Sequence, residues 1–180
     1  MATTNRIRMG IAGLVLSAGA FVGLLTREGY TDGVIIPTKG DAPTLGFGTT
    51  GGVKMGDRTT PVKAAQRALL DVRTYEGAVK DCVRAPLSQA EYDVYVDLAY
   101  NIGPTNFCYS VDKAGRITGP STLTRRLAAG DYRAACDAIL MYRFAAGYDC
   151  STLVDGRPNK RCYGVWADRQ RSHAQCVAAQ

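Results

Sequence analysis

Three residues in the first quarter of the chain carry side chains suited to acid–base hydrolysis: Glu28, Asp41 and Thr44. A carboxyl group kept protonated near neutral pH by partial burial can give its proton to a leaving oxygen. A second polar group can then hold water on the opposite side. Glu28 closes an apolar run, where such burial is available. Taken alone, it also reads as a surface glutamate in a charge pair with Arg27. Asp41 and Thr44 lie in the stretch Gly40-Asp41-Ala42-Pro43-Thr44-Leu45-Gly46-Phe47-Gly48. Without a role in chemistry, Asp41 is an ordinary turn aspartate and Thr44 a strand-forming residue. Asp32 is the other nearby acid. Tyr30 adjoins Glu28 and is the candidate substrate contact. Gly46 and Gly48 read as permitting tight backbone geometry rather than binding anything.

Other chemistries have little support. The single histidine, His173, falls in the last helical stretch, so a Ser-His-Asp arrangement has no anchor. The six cysteines all follow residue 81, and none forms a CxxC pair. With one histidine they build no usual zinc cluster, and no metal or cofactor is expected. An even cysteine count without metal spacing points to three disulfides and an oxidising compartment. Cys150 and Cys162 bracket a loop with no apolar core of its own and are the expected pair; the other four are unassigned. The net charge of +6 suits solubility or an anionic surface. No basic stripe with interleaved aromatics occurs, so nucleic acid is not an expected partner.

Glycine, proline and threonine dominate residues 27–60, with short apolar stretches at Val34-Ile35-Ile36 and Leu45-Gly46-Phe47, which predicts a small hairpin sheet. Thr60 and Pro61 suit an N-cap and first helical position, and Val62, Ala65, Leu69, Val72 and Tyr75 keep helical spacing behind them. Ser88 with Glu91 reads as a capping box, followed by an apolar face of Tyr92, Tyr95, Val96 and Ala99. Helices are also expected at 121–129, 132–142 and 165–178, with residues 144–164 as a loop.

The N-terminus places Arg6 and Arg8 before an uncharged run from Met9 to Thr26 that is rich in glycine and alanine. As one helix the run would span about 27 Å, marginal for a bilayer core of roughly 30 Å. The charge order predicts a cytoplasmic N-terminus and an exported body. A cleavable signal peptide ending near Ala18-Gly19-Ala20 is the alternative, but cleavage there would leave an apolar stub beside Glu28.

The segment Arg27-Glu28-Gly29-Tyr30, followed by Thr44-Leu45-Gly46-Phe47-Gly48, resembles the glycoside hydrolase family twenty-four lysozymes, the phage-type muramidases. Pro86-Leu87-Ser88-Gln89, Asn101-Ile102-Gly103, Ser121-Thr122-Leu123, Gly130-Asp131-Tyr132 and the late Gly164-Val165 with Arg169 and Arg171 extend the likeness over roughly residues 26 to 176. The family pattern is Glu, eight residues, Asp, five residues, Thr. Here the ninth position after Glu28 is Pro37, and Thr44 comes sixteen positions after Glu28 rather than fifteen. Of the nearest acids, Asp41 and Asp32, Asp41 is taken as the second acid because it lies three residues before Thr44 on the strand leading into the Thr-x-Gly-x-Gly turn.

The resemblance implies an α+β, lysozyme-like fold: a small β-hairpin lobe and a helical lobe, preceded by an N-terminal apolar helix. Residues 1–26 form a signal-arrest-release segment and 27–180 the catalytic domain. The implied activity is cleavage, with inversion, of the β-1,4 bond between N-acetylmuramic acid and N-acetylglucosamine in peptidoglycan, leading to host lysis. Glu28 is the acid, Asp41 and Thr44 handle the water, and Tyr30 contacts substrate. The expected protein is a monomer, exported to the periplasm and first tethered to the inner membrane through residues 9–26. A tethered, non-catalytic peptidoglycan-binding module and a chitin-oligomer hydrolase are the rival readings.

Overall fold

The computed structural model describes residues 7–37, 40–154 and 156–180. Its elements run in chain order from a helix α1 (Ala18–Glu28) into a hairpin of β1 (Thr31–Ile35) and β2 (Thr44–Gly46). A long helix α2 (Pro61–Cys82) leads to α3 (Gln89–Ile102) and the short α4 (Pro104–Cys108). A second hairpin, β3 (Tyr109–Val111) with β4 (Ile117–Pro120), precedes α5 (Thr122–Ala128) and α6 (Tyr132–Ala138). Two minimal hairpins, β5 (Phe144–Ala145) with β6 (Tyr148–Asp149) and β7 (Leu153–Val154) with β8 (Arg157–Pro158), lead to the last helix α7 (Tyr163–Ala178). All four strand pairs are antiparallel. The architecture is α+β and lysozyme-like, as expected.

α3 is the axis of the core. Its capping box forms as the sequence predicts: Ser88 Oγ accepts from the Glu91 amide, and the Glu91 carboxylate accepts from the Ser88 amide. The turns that follow are buried from Tyr92 through Ala99 apart from the half-buried Asp93. Val72 and Val79 of α2, Phe107 of α4, Leu123 and Leu127 of α5, Ile139 in the 3-10 turn after α6, and Cys176 of α7 pack around it.

α2 departs from its expected face. Ala64, Ala68, Val72 and Val79 are buried, while Val62 and Leu69 are exposed. The reason is a close approach: a Cβ on Gly46 would stand 2.7 Å from the Ala64 Cβ. The first half of α2 extends out of the helical core to back the hairpin, and that contact admits only small side chains.

Residues 144–164, read as loop, contain two hairpins. Residues 109–120, which carry no clear periodicity, form another. Three disulfides hold this half of the molecule: Cys82–Cys108 ties α2 to α4, Cys136–Cys176 ties α6 to α7, and Cys150–Cys162 closes the loop as expected. Each contributes about 2–4 kcal/mol.

The N-terminal run is not one helix. Met9 and Leu87 exchange backbone hydrogen bonds of 2.9 and 3.0 Å, Ile11–Gly13 forms a single 3-10 turn, and helix begins only at Ala18, with Ser17 Oγ capping Ala20. Side chains explain the interruption. Arg8 stacks on Tyr132 and pairs with buried Glu91 at 2.7 Å. The Leu16 amide donates to Glu76, and Ser17 donates twice to Asp93. With Ile11, Leu14 and Leu24 buried, these contacts fix the arm along α2 and α3, and α1 runs through the boundary drawn between residues 26 and 27. No described helix is long and apolar enough to cross a membrane.

Candidate active site

Docking of the arm decides where Glu28 stands. It is the last residue of α1, and Gly29, at φ +71°, breaks the helix and turns the chain into β1. Glu28 is exposed as a residue, but its carboxyl lies against the Phe47–Gly48 turn. A Cβ on Gly48 would stand 3.3 Å from Glu28 Oε2 and 3.5 Å from the Tyr100 hydroxyl. Gly48 also has φ +85°, so it serves backbone geometry and close approach together.

Tyr100, on the last turns of α3, donates from its hydroxyl to the Phe47 carbonyl at 3.2 Å, and its ring packs on Tyr75 of α2 at 4.9 Å. Thr49 donates to Asp71 at 2.6 Å, and Arg67 donates to the Gly51 carbonyl at 2.6 Å. These bonds hold the turn onto α2. A hollow of about 220 Å³, lined by Gly48, Thr49, Asp71, Tyr75 and Tyr100 among others, opens beside the carboxyl. A larger groove of about 730 Å³ begins at the neighbouring Asn101 and continues along Asn106, Tyr109, Tyr142 and Phe144.

Burial pushes the proton affinity of Glu28 above that of an ordinary glutamate, and the negative charge of Asp97 adds to the rise. Arg27 pulls the other way, and Asp168 adds a smaller upward push. Asp97 lies on α3, is only 6% exposed, and pairs with Arg27 and, at 3.7 Å, with Arg171. Arg171 and Arg169 in turn pair with Asp168. The expected alternative for Glu28, a pair with Arg27, is thus not what the structure holds: Arg27 goes to Asp97.

The remaining sequence candidates are spread over the hairpin. Thr44 opens β2 opposite Ile35, half-buried, and its hydroxyl donates to the Ala42 carbonyl at 3.1 Å, leaving the oxygen free to accept. The register between β1 and β2 is irregular: Thr31 faces Gly46 while Ile35 faces Thr44, so the extra length of the hairpin bulges out on β1. Asp41 is exposed on the segment entering β2 and makes no hydrogen bond or ion pair to the described residues. Asp32 is exposed and paired with Arg58 at 2.6 Å, which ties β1 to the strand-like segment before α2. Tyr30 packs on Phe47 at 5.4 Å and donates to the Thr59 carbonyl at 3.1 Å, so its hydroxyl serves the lobe itself.

Asp97 and Tyr100 were missed in the sequence. Asp97 did carry a signal: it is an acid flanked in sequence by the apolar run Tyr95-Val96 and Leu98-Ala99. Only the packing of α1 and α7 against α3 shows which cations it meets.

The phage lysozyme family model matches residues 25–160. The SAR-endolysin of Pseudomonas phage phiKMV is 31% identical over 144 residues, which cover 80% of this chain and 82% of that protein. A solved P22 lysozyme mutant superposes with a TM-score of 0.67 at 28% identity, covering 91% of this chain and 99% of that one. In fold alone, the active form of the P1 phage endolysin Lyz is similar, with a TM-score of 0.73 at 18% identity over 95% of each chain. Its secreted inactive form gives 0.54. By this match in sequence and fold, the chain belongs to the phage lysozyme family.

Proposed function

We propose that this endolysin cuts the β-1,4 bond between N-acetylmuramic acid and N-acetylglucosamine in peptidoglycan with Glu28 as the general acid. The single observation that carries the assignment is the setting of the Glu28 carboxyl. It is packed against Gly48, beside Tyr100, with its proton affinity raised by burial and by the neighbouring Asp97. The raised proton affinity favours the protonated carboxyl that donation to the leaving oxygen requires. Water approaches the opposite face of the sugar, positioned by Asp41 and by the free acceptor side of the Thr44 hydroxyl. Tyr30 and Phe47 offer a tilted aromatic surface next to the acid. The enzyme acts as a monomer, with no nucleic-acid partner.

Glu28→Gln keeps the size of the side chain and removes the proton donor. Clearing of permeabilised cells, or dye release from labelled murein, should fall about a hundredfold or more with the fold intact. Full activity would remove Glu28 from the mechanism.

Residues 1–26 are proposed as a reversible inner-membrane anchor that brings the enzyme to the periplasm before release. The apolar Met9–Thr26 run supports this, as does the relative described as a SAR-endolysin. Inserted in a bilayer, the run cannot also make the Arg8, Leu16 and Ser17 contacts that seat α1, and Glu28 then stands at the membrane surface. The docked arm is the arrangement in which the acid meets Gly48 and Tyr100.

A further inference from the structure

We infer that Asp97 is a positioning residue that holds Arg27 and Arg171 away from Glu28 and so keeps the general acid free of a cationic partner. The inference rests on the reading of Glu28 as the acid.

The geometry around Glu28 is crowded with charge. α1 brings Arg27, the residue before it. α3 brings Asp97 and Tyr100, α7 brings Asp168 and Arg171, and α2 brings Tyr75 and Asp71. Yet among the described residues no ion pair reaches Glu28; the arginines are bound to other carboxylates. Adjacent helical residues do not face the same way, so Arg27 can reach α3 while Glu28 reaches the hairpin turn. Arg27 is only partly covered, with 31% of its side chain exposed, whereas Asp97 is at 9% on the same measure. The buried carboxylate is the fixed partner, and the long arginine is the one able to move.

Freed from Asp97, the Arg27 guanidinium, carried on the residue before the acid, would be a mobile cation close to it. An opposite charge within 4–6 Å lowers a carboxyl pKa by about 1–3 units. A glutamate so paired is ionised at neutral pH and has no proton to give. A buried aspartate is an expensive way to hold two surface arginines for stability alone, since such a pair is often no better than an apolar replacement. As a trap for cations beside an acid, it has a chemical purpose. Burial and the charge of Asp168 raise the proton affinity of Asp97 itself, and Arg27 and Arg171 pull it back down.

The test is the pH dependence of kcat/KM on soluble murein fragments, with folding checked by circular dichroism and melting. Asp97→Asn should move the alkaline limb toward acid by about one pH unit or more. Adding Arg27→Gln to that variant should move it back toward the parent, and Asp97→Glu should restore most of the parent profile. Lower activity at every pH with an unmoved limb would give Asp97 a purely structural role and overturn the inference. If Asp97→Asn does not fold, Arg27→Gln alone serves. Because Asp97 already holds Arg27, the limb should move by less than about half a pH unit, and a larger alkaline shift would mean that Arg27 already acts on Glu28 and overturns the inference. An inactive Glu28→Gln with the Asp97→Asn limb unmoved sinks the trap alone; a fully active Glu28→Gln sinks the acid assignment and the trap with it.

Discussion

Gly48 leaves open the space that a Cβ would occupy 3.3 Å from Oε2 of Glu28. The turn therefore shapes the carboxyl's surroundings directly. Gly48→Ala places a methyl there and forces a residue with a side chain into φ +85°. The backbone strain should cost about 1–2 kcal/mol of stability. The crowded carboxyl should lose at least about tenfold in kcat, because small misplacements of a catalytic group are costly. Thermal melting and murein clearing measured side by side give both numbers. A variant with parental kcat would show that Glu28 tolerates a different seat.

Asp41 and Asp32 are separated by their environments. Asp32 is bound to Arg58 on the surface, a pair worth no more than about 1 kcal/mol. Asp41 is unengaged by the described residues and exposed at the entry to β2. Asp41→Asn should cut activity nearly as far as Glu28→Gln, and Asp32→Asn should change it less than about threefold. The reverse order would transfer the water-handling role to Asp32. If both are mild, Thr44 and backbone groups place the water, and Thr44→Val becomes the severe substitution.

The raised proton affinity of Glu28 has a consequence for stability as well as rate. A folded-state pKa above the unfolded one means that folding favours the protonated acid. The contribution is fully present below the unfolded pKa and is lost as pH rises through the folded value. At neutral pH the site therefore destabilises the fold relative to a neutral side chain. Glu28→Gln should melt higher than the parent at pH 7, with the gap closing near pH 4. Equal gaps at both pH values would mean that the carboxyl is not held protonated by its surroundings.

Membrane retention can be tested without disturbing the folded enzyme. The structure leaves open space at Gly13 and Gly19, while a Cβ at Gly23 would come within 3.2 Å of an Arg27 guanidinium nitrogen. Gly13→Leu with Gly19→Leu adds apolar area worth about 25 cal/mol per Å² in a bilayer and spares the Arg27–Asp97 contact. The double variant should stay in the membrane fraction and delay lysis, yet show parental activity once extracted and refolded. Release and lysis on the parental schedule would argue against residues 9–26 as the anchor.

Much of this protein was legible along the chain because the determinants were local. Ser88 and Glu91 fix a helix start within three residues, and Thr60-Pro61 does the same for α2. Glu28-Gly29 marks a helix end, since glycine there takes the left-handed conformation. The Thr44 to Gly48 turn and the Cys150–Cys162 loop were readable for similar reasons. What only tertiary structure decided depends on partners far apart in sequence. The buried face of α2 was set by the approach of Gly46 to Ala64, not by its own periodicity. The pairing of Cys82 with Cys108 and of Cys136 with Cys176 required helices to meet. Residues 9–17 are apolar enough to read as helix, but Glu91 takes Arg8 and Glu76 and Asp93 take the Leu16 and Ser17 amides, so only one 3-10 turn forms before Ala18. Asp97 is one acid among the apolar residues of α3's buried turns until α1 and α7 bring Arg27 and Arg171 to it. Sequence can nominate a carboxyl, but its charge state is set by burial and by neighbours that only the folded chain assembles.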